Sequence, residues 1–225
     1  MMYFSRICMT PKALPWVLSA SEYGLHRAVW TLFGDRQDRV RDFLYRRDDK
    51  GSMPWFLCLS ERPPLNADGF SVETKPFEPK LKSGQVLEFA VRVNPVRTEW
   101  VDGKQKRRDV VMDHKKKLEA QGVPPEKRPS GAAMAQEAGV GWFLARAGKW
   151  GLEADEGSLM ADGYRVLDFT KDGRGERRRV RLATLDISGV VEVRDPAALA
   201  EALRKGIGPA KGFGCGLMLL KPQRG

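Results

Sequence analysis

Cysteine and histidine are scarce in this sequence, which holds 3 Cys and 2 His in 225 residues. Cys8, Cys58 and Cys215 are odd in number and widely scattered, so neither a disulfide framework nor a zinc-ligand spacing is present. No cofactor signature appears, and neither a cofactor nor a metal is expected. Long apolar runs are also missing, and MMYFSRICMT is too short and too polar for a signal peptide. These absences predict a soluble protein of the reducing cytoplasm, with no membrane partner. Acidic residues fall short as well. Against 39 Lys and Arg stand 29 Asp and Glu, a net charge of +10 with a pI near 9.7. That excess favours a polyanionic partner, nucleic acid before an anionic membrane surface.

What is present reads as an α+β protein. Residues 2–9 suit a buried strand. Ser19 and Glu22 have the spacing of a capping box that opens a helix, and Gly34 stands where the helix would stop. VRDFLYR (40–46) and WFLCLSE (55–61) read as strands around a DDKGSMP turn, and FSVETKPF (70–77) as a further strand. ERPPLNADG, between the last two, holds at best a weak helix. The second half opens on VLEFAVRVNPVRT (86–98). A polar stretch from 100 to 131 reads mostly as loop. A helix over 131–148 follows, weakened by Gly139 and Gly141. YRVLDFT (164–170) and RRRVRLATLDI (177–187) flank KDGRGE as a hairpin. Asp195 and Pro196 open a helix as N-cap and first residue, and CGLMLLK closes the chain as a strand. Each half therefore runs strand, helix, strand, strand, helix, strand. The prediction is two tandem ferredoxin-like (RRM-like) domains, residues 1–84 and 85–225.

The first helix carries the leading candidates for chemistry. Leu25, Ala28, Val29 and Leu32 share one face, while Tyr23, His26, Arg27 and Trp30 cluster on another. The spacings of three and four predict that Tyr23, His26 and Arg27 converge on one ligand. Imidazole is the side chain best suited to moving a proton near neutral pH. If the polyanion is RNA, its own 2′-hydroxyl is a built-in nucleophile. The protein then has to align that oxygen with phosphorus, neutralise the phosphorane and shuttle protons. The other histidine, His114, sits in DHKKK and reads as part of a solvated loop.

A second cluster is basic. Arg165, Lys171, Arg174, Arg177, Arg178, Arg179 and Arg181 line the expected hairpin, against Asp168, Asp172 and Glu176. Guanidinium forks match paired phosphate oxygens, so this ribbon suits a nucleic-acid backbone. A solvated edge strand is the competing reading. The tract from Lys104 to Lys117 adds a weaker, sequence-independent grip.

GIGPAKGFGCG (206–216) is the remaining puzzle. It departs from the P-loop pattern and follows a helix into a strand, the reverse of a nucleotide site. Gly206 suits a helix stop. Gly208, Gly212, Gly214 and Gly216 exceed what one turn needs, which leaves either plain structure or close approach of another backbone open. Lys211 within it is a candidate RNA contact.

Taken together, these stretches resemble the CRISPR repeat endoribonucleases, most closely their type I-E branch, CasE. GIGPAKGFGCGLMLLKP looks like that family's carboxyl-terminal glycine-rich motif, and YGLHRAVWTLF like its histidine helix. FAVRVNPVRT is similar to its arginine-asparagine-proline strand, with Val93 where alanine is usual, and RDFLYR also fits. The likeness runs from Tyr3 to Pro222, with 99–160 matching poorly. It implies tandem ferredoxin-like domains and metal-independent cleavage of CRISPR precursor RNA at the base of the repeat hairpin. The expected ends are a 2′,3′-cyclic phosphate and a 5′-hydroxyl. It further implies that the protein stays on the crRNA hairpin with other Cascade subunits. By motif match His26 is catalytic and Tyr23 assists, and Arg27 is added on position alone. The arginine hairpin would grip the stem, and the glycine loop would be a structural element beside the RNA and the histidine helix. A non-catalytic hairpin-binding subunit and a basic scaffold are the alternatives.

Overall fold

Two antiparallel sheets organise the chain in a computed structural model. It describes residues 1–13, 15–16, 20, 22–34, 41–48, 55–173 and 176–223, apart from the side chains of 22, 171–173 and 176–177. The first sheet holds β1 (Met2–Met9), β2 (Phe43–Asp48), β3 (Trp55–Ser60) and β4 (Phe70–Phe77), in the order β2-β3-β1-β4. The helix α1 (Glu22–Thr31) packs on one face of it. Leu25, Val29 and Leu32, at most 2% exposed, meet Ile7, Phe43 and Phe56 there. Each such side chain contributes about 1.5–3 kcal/mol by leaving water. Ser19 lies outside the described residues, as does most of the DDKGSMP turn.

No helix connects β3 to β4 among the described residues, so the weak helix expected there is absent. Neither Pro63 nor Pro64 has an N–H to donate to a helical ladder. Arg62 holds the crossover instead, its Nε donating to Asp42 Oδ2 at 2.7 Å and its Nη1 to the Phe33 carbonyl at 2.6 Å.

The second sheet is built from β5 (Val86–Val93), β8 (Leu152–Glu153), β9 (Leu159–Gly173), β10 (Glu176–Val193) and β11 (Met218–Pro222). Its order is β11-β5-β10-β8, with β9 also paired to β10. Without the short β8, this repeats the connectivity of the first sheet. Helix α3 (Gly131–Ala147) packs close to it at Gly139, where a Cβ would sit 2.5 Å from Leu185 Cδ2. Gly139 is thus a packing requirement, not a weakness. Helix α4 (Pro196–Lys205) starts as expected, Asp195 accepting from the Ala197 and Ala198 amides.

The segment read as loop is structured. It forms a separate ribbon, β6 (Val96–Val101) with β7 (Lys104–Asp109), then helix α2 (Val110–Ala120). Only Val111 of α2 is buried, so an apolar stripe was not there to see. Its signals are an Asp109 N-cap, a Lys-Leu-Glu-Ala composition that favours helix, and Gly122 just beyond its end. His114 lies on this helix, half-buried, with Nε2 3.4 Å from Glu137 Oε2.

The two sheets meet through Leu44, Leu57, Leu59 and Leu217, with Phe4, Phe77 and Leu219 around them. Asp186 adds a polar clamp. It takes a two-pronged bond from Arg92 (3.0 and 2.8 Å) and lies 3.4 Å from Arg46 of β2.

Candidate active site and nucleic-acid interface

Burying Leu25 and Val29 turns the opposite edge of α1, with Tyr23, His26 and Trp30, toward the carboxyl-terminal glycine loop. The His26 ring lies 6.5 Å from Tyr23, 5.8 Å from Trp30, 6.4 Å from Tyr45 of β2 and 6.0 Å from Phe213, between ring centroids. Arg27 does not join them. One residue on, it lines a separate cleft with Lys12, Gly24, Thr31 and Asp68. On the helix Arg27 lies between Tyr23 and Gly24 and lines the cleft on the Gly24 side, so the pair brought to the glycine loop is Tyr23 and His26.

The loop between α4 and β11 brings a backbone and a lysine to that pair. Tyr45 Oη donates to the Gly212 carbonyl at 3.0 Å. A Cβ on Gly212 would lie 3.3 Å from Arg41 Nη1 and 3.6 Å from His26 Cε1, so these three residues crowd one point. Gly206 and Gly216, with φ of +79° and +92°, make room for the Lys211 stem. A Cβ there would come within 3.0 Å of Lys211 Cε and 3.2 Å of its Cγ. The dense glycines therefore let a main chain fold tightly around one lysine beside the imidazole.

Lys211 and Arg41 are a cation pair with no carboxylate paired to either among the described residues. Neither makes an ion pair among the described residues, and Arg41 Nε is buried without a partner. Burial holds Lys211 below the usual lysine value, and Arg41 pushes it further the same way. Burial likewise lowers Arg41, with the Tyr45 oxygen opposing. Two cations held together at such a cost suit a group with more than one negative oxygen.

The hairpin joins this site through a chain of tilted ring contacts. Phe169 of β9 lies 4.9 Å from Phe213, which in turn abuts His26. Cross-strand partners share a face, so Arg179 and Arg181, opposite Thr170 and Asp168, project to one side. Arg178, opposite Lys171, projects with Phe169 to the other. Arg179 is committed to Asp168 through bonds of 2.7 and 2.6 Å, and this partner lowers the carboxyl and raises the guanidinium pKa. Arg165, Arg178 and Arg181 are exposed and make no ion pair among the described residues. Arg174 and the side chains of Lys171 and Arg177 lie outside the description. Among the described residues no three His, Cys, Asp or Glu side chains come together as metal ligands.

The family model described as CRISPR associated protein matches residues 2–222. The chain belongs to the CRISPR associated protein family. It is 27% identical to the CRISPR system Cascade subunit CasE of Escherichia coli (strain K12), over 98% of this chain and 100% of that protein. It is 29% identical to the CRISPR-associated endoribonuclease Cse3 of Thermus thermophilus, over 66% of this chain and 61% of that one. Thermus thermophilus Cse3 bound to an RNA representing a pre-cleavage complex superposes with a TM-score of 0.71 at 23% identity, covering 98% of this chain and 99% of its own. The shared fold is a tandem pair of ferredoxin-like units.

In this member of the family, three site residues escaped the sequence reading. Arg41 and Tyr45 sit within RDFLYR, which drew notice as a strand, and Phe213 was passed over among glycines. A hint was available for Phe213, since an aromatic ring inside a glycine-rich turn needs something to pack against. Nothing local marks Arg41.

Proposed function

We propose that this chain is a CRISPR repeat endoribonuclease. It cuts precursor RNA at the base of the repeat hairpin by attack of the adjacent 2′-hydroxyl, and remains on the crRNA as a Cascade subunit. The observation that carries the reading is His26, with Tyr23, facing the Arg41–Lys211 cation pair across Gly212, beside a ribbon of arginines. The likeness to the Cascade subunit CasE over its full length and to the endoribonuclease Cse3 supports it.

In this scheme the ribose oxygen attacks in line while its 5′-oxygen neighbour leaves. His26 moves the proton, Tyr23 orients the sugar-phosphate, and Arg41 and Lys211 neutralise charge that grows on the non-bridging oxygens. Every group needed is an organic side chain, so cleavage proceeds without added metal. The products end in a 2′,3′-cyclic phosphate and a 5′-hydroxyl. Arg165, Arg178 and Arg181 hold the stem, whose A-form grooves are recognised through shape and backbone. Arg27, aimed into its own cleft, takes no part in the chemistry. The proposed division at residues 84 and 85 is supported by β4 and β5 lying in different sheets. The free thiols of Cys8, Cys58 and Cys215 fit a reducing cytoplasm, and no helix of the described residues is long and apolar enough to cross a membrane.

The test is incubation with the host's repeat RNA in EDTA, followed by end-group analysis. One cut at the stem base with a cyclic phosphate is expected. Efficient cutting of RNA carrying a 2′-deoxy sugar at that nucleotide would overturn the scheme.

A further inference from the structure

Past Phe213, on the side away from His26, lies a cleft of about 640 Å³, within the roughly 300–1,000 Å³ common for small-ligand sites. The ribbon β6–β7 and helix α2 form one wall, the hairpin β9–β10 a second and the glycine loop a third. Val96, Met112, Val166, Leu182 and Phe213 give it an apolar lining, with Met112 39% and Val166 41% exposed. Arg107, Lys116 and Arg181 stand among the lining residues, all exposed and none in an ion pair among the described residues. One carboxylate also lines it, Asp109, and that group is spoken for. It caps α2 through the Val111 and Met112 amides and accepts from Tyr164 Oη at 2.8 Å. Burial raises the Tyr164 pKa, which keeps this phenol a donor. Asn94, also lining the cleft, is occupied by the Ala183 carbonyl at 2.6 Å.

An apolar slot with unpaired cations at its edges matches a nucleotide, whose base takes the slot while its phosphates meet the charges. Phe213 fixes where such a nucleotide comes from, because its ring lines the slot and lies 6.0 Å from that of His26. We propose that this cleft holds the first unpaired nucleotide downstream of the scissile phosphate, with its base against Phe213. The reading rests on the endoribonuclease assignment above. On that assignment, the nucleotide upstream of the cut is paired in the stem and cannot leave its stack. The one downstream is unpaired and free to turn past Phe213. The inserted β6–β7–α2 unit thereby acquires a role, that of presenting the leaving strand.

The experiment compares equilibrium binding of two uncleavable hairpins, both 2′-deoxy at the cleavage nucleotide. One ends at the stem and one carries three downstream nucleotides. The intact protein is expected to bind the longer RNA at least about fivefold more tightly, as stacking one base on an aromatic ring allows. An RNA abasic at the first downstream position should lose most of that gain. In the Arg107→Gln/Lys116→Gln variant the gain should fall below about twofold, with the shorter RNA affected less than the longer one. Equal weakening of both RNAs, no gain in the intact protein, or a gain that follows an upstream flank instead would each overturn the proposal. Cleavage of the all-ribose RNA is scored separately. If it fails while the flank-dependent gain persists and vanishes in the variant, the nuclease reading falls and the cleft stands.

Discussion

The two halves share one strand order and divide the work between them. The first half is spare. Its second crossover has no helix among the described residues, and helix α1 carries the imidazole. The second half is elaborated by the long β9–β10 hairpin, the β6–β7–α2 insertion and a loop that reaches across to Tyr45. On the proposed function, chemistry sits on the plain unit and grip on the decorated one, and the glycine loop carries Lys211 from the second half to the side of His26 in the first. A ferredoxin-like frame thus leaves function to what is added at its edges and loops.

The sharpest way to break this division is at His26. His26→Ala should lower single-turnover cleavage about 100- to 10,000-fold while hairpin affinity stays within a few-fold. If cleavage survived, catalysis would not reside in the first half. Next in size is the cation delivered by the second half. Lys211→Met should cost about 100-fold in cleavage, the order expected for one charge-stabilising donor. The same variant should melt at a higher temperature than the parent. Lys211 has a lower pKa folded than unfolded, so below that window the protonated lysine destabilises the fold, and stability rises with pH through it. A lower melting temperature for Lys211→Met would show that the loop needs the charge for its structure.

The smallest effect separates two neighbouring arginines of the grip. Arg178→Ala should weaken hairpin binding and reduce the slope of log affinity against log salt by about 0.7–0.9. Arg179→Ala should change both less, because Asp168 already neutralises that guanidinium. Equal effects would mean that RNA displaces the Asp168 pair on binding.

Local sequence made the local elements legible. Leu25, Val29 and Leu32 revealed the buried face of α1, and with it the neighbourhood of Tyr23 and His26. Asp195–Pro196 marked the start of α4, and the alternation around KDGRGE marked the hairpin. Helix α2 was missed because its stability comes from a cap and from docking on α3, not from an apolar stripe of its own. Arg27 was overcredited because helical spacing gives an angle but not what each direction faces. Arg41 and Phe213 could not be joined to His26 by any local rule, since the segment leading into β2 and the glycine loop meet only through tertiary packing. Tyr45 and Gly212 are 167 residues apart.

By itself, then, the sequence determined the elements that carry a periodicity or a cap signal, the surplus of positive charge and the helix edge that bears the imidazole. Periodicity, caps and turn residues act over a few positions and need no partner. The folded molecule alone decided that Lys211 and Arg41 come together beside Gly212, that Arg27 lines a cleft of its own and that the inserted ribbon walls another. Those outcomes depend on burying leucines between two sheets, a contact no stretch of chain makes on its own.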